Sequence, residues 1–263
     1  MRKGIRQAPW VLAALFLLAT LDAPAQVHAT AVPAYLVMAR DLVGHVKPQD
    51  NRYVLGGQFI SFPGDPSSDR YSVRADCSGF LIAILGRAKF STVSLMSFQP
   101  GTSRRRTRVA AEDFVYSIEM QKGFKRIRDV TSIEPGDFLA HAMLNAEDQK
   151  QTGTTGHVFL IDSPPRRIEP RDPVVPGTQQ FEIAVIDSNE EHVGADDTRL
   201  ADPSNKVKGL GRGTIRIYAD PDGALVGWAR TFKISRKFFS YDPRFPSDTK
   251  LRKAAIGRPI AGT

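Results

Sequence analysis

The sequence of 263 residues contains a single cysteine, Cys77. An internal disulfide therefore cannot form, and a cysteine-rich zinc site is excluded as well. The sequence also lacks an apolar run of about 20 residues, the length that a helix needs to cross a bilayer. A Gly-x-Ser-x-Gly nucleophile motif is missing too. These absences predict a globular protein without a membrane span or a serine nucleophile of that type, whose one thiol needs an explanation.

Composition indicates a folded protein with a basic surface. Apolar residues make up 41% of the chain and charged residues 24%, which is typical of a globular domain, and the formal net charge is +8. A positive surface favours polyanions, among which we expect anionic cell-wall polymers rather than nucleic acid. The run Ser103 to Arg108 carries four arginines and is predicted as a solvated loop, with polyanion binding as the alternative.

No motif predicts a cofactor or a metal. The glycines from Gly209 to Gly213 lack the Gly-x-Gly-x-x-Gly spacing of a dinucleotide site and are predicted as a turn before a strand. Glu190-Glu191 and Asp196-Asp197 lack the spacing of a calcium loop and are predicted as solvated turns. We therefore expect chemistry carried by side chains alone.

Residues 1–29 have the pattern of a signal peptide. A basic start is followed by an apolar run from Trp10 to Ala19 and by small residues that suit cleavage after Ala25 or Ala29. We expect an exported, monomeric protein that is periplasmic or extracellular, with a retained N-terminal anchor as the alternative. Residues 30–235 are then predicted as one catalytic domain, and residues 236–263 as a basic tail that is ordered only in part.

Hydrophobic periodicity predicts helices first and strands second. Helices are expected at about 31–46, from Cys77 onward and at about 109–120, with a long loop at 51–74 between the first two. Six strands are expected after the helices: 124–130, 137–143, 157–162, 181–187, 213–218 and 225–231. This order indicates an α+β fold in which N-terminal helices pack on an antiparallel sheet.

The surroundings of Cys77 favour reactivity over inert burial. Asp76 is a helix N-cap residue and an apolar stretch follows, so Cys77 lies in the first turn of a buried helix. The positive end of the helix dipole favours a thiolate there. A thiol also needs a base, and His157 lies at the start of a buried strand after a flexible approach. His45 and His141 are more simply structural.

These residues resemble the NlpC/P60 peptidases of the papain-like cysteine hydrolase superfamily. Four blocks occur in the family's order: Tyr53 to Gly57, Asp76 to Phe80, the Pro-Gly-Asp turn at 135–137, and Gly156 to Val158. The resemblance covers about 31–188, with an extension to 231 as the alternative. It implies a papain-like fold in which the start of the cysteine helix faces the histidine strand across a groove.

The resemblance also implies roles for individual residues. Cys77 is the expected nucleophile and His157 the expected base, while Tyr53, Asp76 and Ser78 are expected to contact substrate or the tetrahedral intermediate. A third polar residue should orient the imidazole, and Asp187 on the next strand is our choice. This sequence departs from the family because 30 positions separate His157 from Asp187 and the segment 164–180 is long and Pro-rich. Asn189 and His192 therefore remain alternatives.

Taken together, the pattern predicts a secreted cysteine hydrolase that cleaves amide bonds, with the peptide stem of peptidoglycan as the implied substrate and no cofactor. Two alternatives stay open. A cell-wall-binding protein on a papain-like fold would have no need of Cys77 and His157. An acyltransferase would use the same residues and pass the acyl group to an amine instead of water.

Overall fold

The computed structural model describes residues 31–66, 68–96, 108–201, 207–232, 237–247 and 249–260. The predicted signal peptide and residues 103–107 of the arginine-rich run lie outside the described residues, so those two predictions stay as they are. No helix in the described part of the chain has the length and apolar character needed to span a membrane.

The described part of the chain forms five α-helices and twelve strands. The helices are α1 (Ala34–His45), α2 (Cys77–Arg87), α3 (Thr92–Leu95), α4 (Ala111–Glu119) and α5 (Ala146–Thr152). The strands are β1 (Asn51–Tyr53), β2 (Gln58–Ser61), β3 (Ser72–Ala75), β4 (Phe124–Ile127), β5 (Phe138–Met143), β6 (Gly156–Ile161), β7 (Arg166–Ile168), β8 (Gln179–Asn189), β9 (Gly209–Ala219), β10 (Leu225–Arg230), β11 (Phe238–Ser240) and β12 (Arg252–Pro259).

Two sheets organise these strands. Nine strands form an antiparallel sheet in the order β11-β10-β9-β8-β6-β5-β12-β4, with β7 paired to β8. A small mixed sheet has the order β1-β3-β2, in which β1 runs parallel and β2 antiparallel to β3. The small sheet occupies the segment that the sequence predicts as a long loop. Turn residues dominate that segment, and its strands are only three or four residues long, so no period-2 pattern could develop.

Alternation along the strands builds a core on each face of the large sheet. In β6, Val158 and Leu160 pack with α1, α2 and α4, while Phe159 and Ile161 pack in a second cluster with Trp228 and the apolar side chains of β8 and β9. Successive side chains of a strand point to opposite faces, so β6 contributes to both clusters. Helices packed on an antiparallel sheet confirm the predicted α+β class.

The C-terminal residues extend the domain beyond the predicted boundary at 235. Strand β12 lies inside the sheet, hydrogen-bonded to β5 on one side and to β4 on the other. Strand β11 pairs with β10 at the opposite edge. The described part of the segment that the sequence sets apart as a tail therefore belongs to the core of the fold. The sequence does not predict strand β12, because Arg252 and Lys253 are basic and few apolar residues alternate with basic ones before Ala255.

Candidate functional site

Helix α2 begins at Cys77 because Asp76 caps it. One carboxylate oxygen of Asp76 accepts hydrogen bonds from the backbone N–H of Gly79 at 2.7 Å and from the hydroxyl of Ser78 at 3.0 Å. The other accepts the backbone N–H of Gly56 at 2.6 Å. These bonds satisfy donors of the first helical turn and bind it to the preceding loop. Cys77 is thereby held at the positive end of the helix dipole.

Close backbone contact joins the same two segments. A Cβ atom on Gly79 would lie 1.9 Å from the carbonyl oxygen of Gly57, a distance that no side chain tolerates. The backbone N–H of Asp76 donates to that same oxygen at 3.3 Å. Two of the sequence blocks, Tyr53 to Gly57 and Asp76 to Phe80, therefore form one structural unit around the thiol.

Removal of the cap should measurably destabilise the protein. Asp76→Ala deletes the acceptor of all three hydrogen bonds, and we expect a loss of about 1–2 kcal/mol in the free energy of unfolding. Asn145→Ala is the matched control, because Asn145 caps α5, a helix in which no residue is buried. Urea unfolding of both variants tests this expectation. Equal losses in the two variants would contradict a special role for Asp76.

His157 reaches the thiol from the second position of β6. It lies directly opposite His141 on β5. The residue before it has to be a glycine, because the φ of Gly156 is +144° and an added Cβ would lie 2.0 Å from the carbonyl oxygen of His141. The imidazole Nε2 is 2.8 Å from a carboxylate oxygen of Asp187, and the ring lies close enough to Cys77 for the two side chains to interact electrostatically. Three predicted site residues, from α2, β6 and β8, therefore meet in space.

The electrostatics of this triplet favour a charged imidazole. Burial alone would lower the pKa of His157, but the negative charge of the Cys77 thiolate and the hydrogen bond to Asp187 outweigh it and raise the pKa to about 10. The arrangement therefore favours an imidazolium beside the sulfur of Cys77, which is the partner that a cysteine nucleophile needs.

Asp187 is held by more than the histidine. Its side chain is fully buried, and it accepts hydrogen bonds from the amide of Asn189 at 3.0 Å and from the guanidinium of Arg199 at 2.9 Å. Burial would raise the pKa of Asp187, but the charge of Arg199 and the hydrogen bond from His157 hold that pKa below its usual value. The carboxylate is thus kept ionised beside the imidazole.

Arg199 is a buried cation that no sequence pattern singles out. Its guanidinium also donates to both carboxylate oxygens of Asp197, at 2.6 and 2.8 Å, and to the carbonyl oxygen of Gly209 at 2.8 Å. Asp197 is 3% exposed, so its predicted place in a solvated turn is wrong, whereas Asp196 is exposed. A carboxylate that pairs with a buried arginine is itself buried, and a loop sequence carries no sign of such pairing.

The two alternatives for the third residue lie in different places. Asn189 contacts Asp187 and so adds a further hydrogen bond to the oxygen that faces His157. His192 lies 3.4 Å from the backbone oxygen of Val207. Of the three candidates, Asp187 is the one with a hydrogen bond to the imidazole among the described residues.

Tyr53 lies beside the thiol at the end of β1. Burial, and then the negative charges of Cys77 and Asp76, raise the pKa of Tyr53 above its usual range. The phenol therefore stays protonated and is able to donate a hydrogen bond towards the centre. Asp76 and Ser78 face the same groove, but their polar atoms already bond to each other and to the backbone.

A groove of about 1570 Å³ passes over Cys77 and His157. One wall comes from the start of α4 and from α5, where the buried Glu112 accepts a hydrogen bond from Gln149 at 2.5 Å. Trp228 and Phe239 line the groove on the side of β10 and β11. In the described residues, no three His, Cys, Asp or Glu side chains converge on a possible metal position. The groove is large enough for an extended chain of several residues.

Comparison with known proteins identifies a viral relative. The uncharacterized protein R653 of Acanthamoeba polyphaga mimivirus is 31% identical over 215 residues, which cover 78% of this chain and 89% of the viral protein. The chain belongs to the R653 family. No family model matches the sequence, and no solved structure matches it either.

Membership of the R653 family carries no activity with it, because the viral relative is itself uncharacterized. The similarity nevertheless extends over most of both chains, so the relationship concerns the domain as a whole and not one short motif. An activity for this member of the R653 family therefore has to be argued from Cys77, His157 and Asp187.

Proposed function

We propose that the protein is an exported papain-like cysteine hydrolase of the NlpC/P60 type that cleaves amide bonds in the peptide stems of peptidoglycan. One observation carries the proposal: Cys77 at the start of α2 lies beside His157, whose Nε2 is hydrogen-bonded to the buried Asp187 at 2.8 Å. Nucleophile, base and orienting residue in this order make up the catalytic arrangement of a cysteine hydrolase.

The chemistry proceeds in two halves. The Cys77 thiolate attacks the amide carbonyl carbon, forming a C–S bond and a tetrahedral oxyanion. The backbone N–H of Cys77, at the helix start, and the protonated Tyr53 are the donors that stabilise this charge. The imidazolium of His157 gives its proton to the leaving nitrogen as the C–N bond breaks. Water then attacks the thioester, His157 takes its proton, and the C–S bond breaks to release a carboxylic acid.

Two features support the substrate class. The groove accepts an extended chain, and the net charge, which is +8 for the full sequence and stays basic without residues 1–29, suits an anionic polymer outside the cell. The order of the four sequence blocks supports the NlpC/P60 type. A binding protein without activity would have no use for a buried Asp187 and Arg199 behind the histidine, and this counts against that alternative.

The test is release of soluble fragments from purified peptidoglycan, resolved by mass, together with detection of an acyl group on Cys77 in quenched reactions. Cys77→Ala supplies the blank, because it lacks the sulfur that forms the thioester. A new carboxylate on the fragments identifies hydrolysis, whereas a new amide identifies acyl transfer. No fragments and no acylated Cys77, with folding of the protein confirmed, would refute the proposal.

A further inference from the structure

The groove continues past His157 to an end that is rich in cations and aromatic rings. We call this end the basic pocket and define it by its lining residues Trp228, Arg230, Lys237, Phe239 and Arg252. They come from β10, from β11 and the residue before it, and from β12. The ring of Phe159 links the pocket to the catalytic centre, with its centroid 4.5 Å from that of His157 and 5.3 Å from that of Trp228.

Several polar atoms of the basic pocket are buried without a partner. The indole Nε1 of Trp228 and the Nε atoms of Arg230 and Arg252 make no hydrogen bond within the described residues. Trp228 is only 4% exposed. An unsatisfied buried donor is unfavourable, and native proteins contain few of them. Three such donors border one end of the groove, and an acceptor placed at this end would satisfy those that turn towards it.

The charges at this end are unbalanced as well. Arg230 pairs with Glu191, but Arg252 has no ion pair with an acidic side chain in the described part of the chain. The guanidinium of Arg252 lies over the ring of Phe239, 4.5 Å from its centroid. Burial lowers the pKa of Arg252, Tyr241 raises it, and the nearby charge of Arg230 lowers it further. The pocket therefore holds positive charge that an anion would balance.

We propose that the basic pocket binds a carboxylate of the substrate close to the amide bond that is cleaved. Arg252 presents a planar, forked set of donors that matches the two oxygens of a carboxylate, and Trp228 adds a donor beside it. The rings of Phe239 and Trp228 cover the apolar atoms that carry the carboxylate. This proposal rests on the proposed hydrolase, because the ligand is a substrate only if the protein cleaves it. The binding of a carboxylate does not itself depend on turnover.

Trp228 makes the binding directly measurable. The sequence contains two tryptophans, so in the full chain with Trp10→Phe the fluorescence comes from Trp228 in the pocket. We would titrate this protein with N-acetylglutamate and with its diamide, in which both carboxylates are replaced by amides. The acid should change the fluorescence saturably and bind at least about tenfold more tightly than the amide, as charged hydrogen bonds require.

Two variants test the residues. Arg252→Gln should weaken binding of N-acetylglutamate by about tenfold or more, while Arg126→Gln on β4, outside the groove, should leave it unchanged. Lys237→Gln, at an exposed position, should weaken binding in a salt-dependent manner and serves if Arg252→Gln fails to fold.

Any one of the following results would overturn the proposal: no fluorescence response, equal affinity for acid and amide, or undiminished affinity in folded Arg252→Gln. Inorganic phosphate binding as tightly as N-acetylglutamate would also overturn it, in favour of a general anion site. The titration needs no turnover. If the protein shows no hydrolysis but still prefers the acid, the basic pocket is supported and the proposed hydrolase is refuted. If it hydrolyses amides without that preference, the hydrolase is supported and the basic pocket is refuted.

Discussion

Replacing Asp187 with asparagine is expected to lower kcat/KM for amide hydrolysis on the order of 10³-fold without unfolding the protein. The reason lies in Arg199, whose guanidinium can only donate hydrogen bonds and contacts one oxygen of Asp187 at 2.9 Å. The asparagine oxygen must therefore face Arg199. Its NH₂ group then faces Nε2 of His157, which has to become an acceptor.

This reversal places the imidazole proton on the wrong nitrogen. With Nε2 as acceptor in the neutral ring, the proton sits on Nδ1, the nitrogen that remains to face Cys77, so His157 can no longer take a proton from the thiol. Loss of the Asp187 charge also removes two of the influences that raise the pKa of His157. Both effects reduce the population of the thiolate–imidazolium pair.

The pH profile distinguishes this mechanism from simple structural damage. In the unmodified protein, kcat/KM should fall as pH rises through about 10, where His157 loses the proton that the leaving amine needs. In Asp187→Asn the pKa of His157 drops, so this limb should move to lower pH. Fragment release and the rate of Cys77 alkylation, each measured against pH, provide the test. An unmoved limb would show that Asp187 does not act through His157.

Replacing Arg199 with alanine should cost about 3–5 kcal/mol in the free energy of unfolding, because it leaves two buried carboxylates without their cation. The side chains of Asp187 and Asp197 are both 0% exposed. Arg199→Lys should recover only part of the loss, since one ammonium group cannot reproduce the forked contacts to two carboxylates and a carbonyl oxygen.

The loss should depend on pH in a defined direction. Arg199 holds the pKa of Asp187 below its unfolded value, so its contribution is present above that unfolded pKa and is lost as pH falls through the folded one. In Arg199→Ala the folded pKa rises with burial, and the destabilisation should shrink in acid, where the carboxylate takes up a proton.

Urea unfolding followed by Trp228 fluorescence in the Trp10→Phe background measures both effects. Arg212→Ala is the control: Arg212 also pairs with a buried carboxylate, that of Asp162, but its own side chain is 43% exposed and Arg40 remains as a second partner. We expect this control to lose less than about 1 kcal/mol. A similarly small loss in Arg199→Ala would mean that water or another group replaces the buried cation.

The elements with strong periodicity could be predicted from sequence with bounds close to those observed. Helix α2 and strands β5, β6, β8 and β10 carry continuous or alternating apolar residues, and each lies within a few positions of its prediction. Strand β12 could not be predicted, because the first half of its sequence is basic and its apolar and polar residues do not alternate clearly. The strand is stabilised by hydrogen bonds to β4 and β5, which are distant along the chain.

The candidate site divides in the same way. Cys77 and His157 could be selected because each has a recognisable local sequence. Cys77 begins a capped apolar helix, and His157 follows a glycine at the start of a strand. Asp187 was a choice among three residues that only the paired strands could separate. Arg199 and the basic pocket had no local pattern at all, since their partners lie on other elements.

The sequence by itself determined the chemistry that is available: one thiol, capped by Asp76 at a helix start, and a histidine at the start of a buried strand. It also determined the α+β class, because hydrophobic periodicity follows the geometry of each element. Only the tertiary structure decided which carboxylate meets His157 and that Arg199 lies behind it. Burial and ion pairing depend on distances between segments far apart in the chain, and a linear pattern holds no record of those distances.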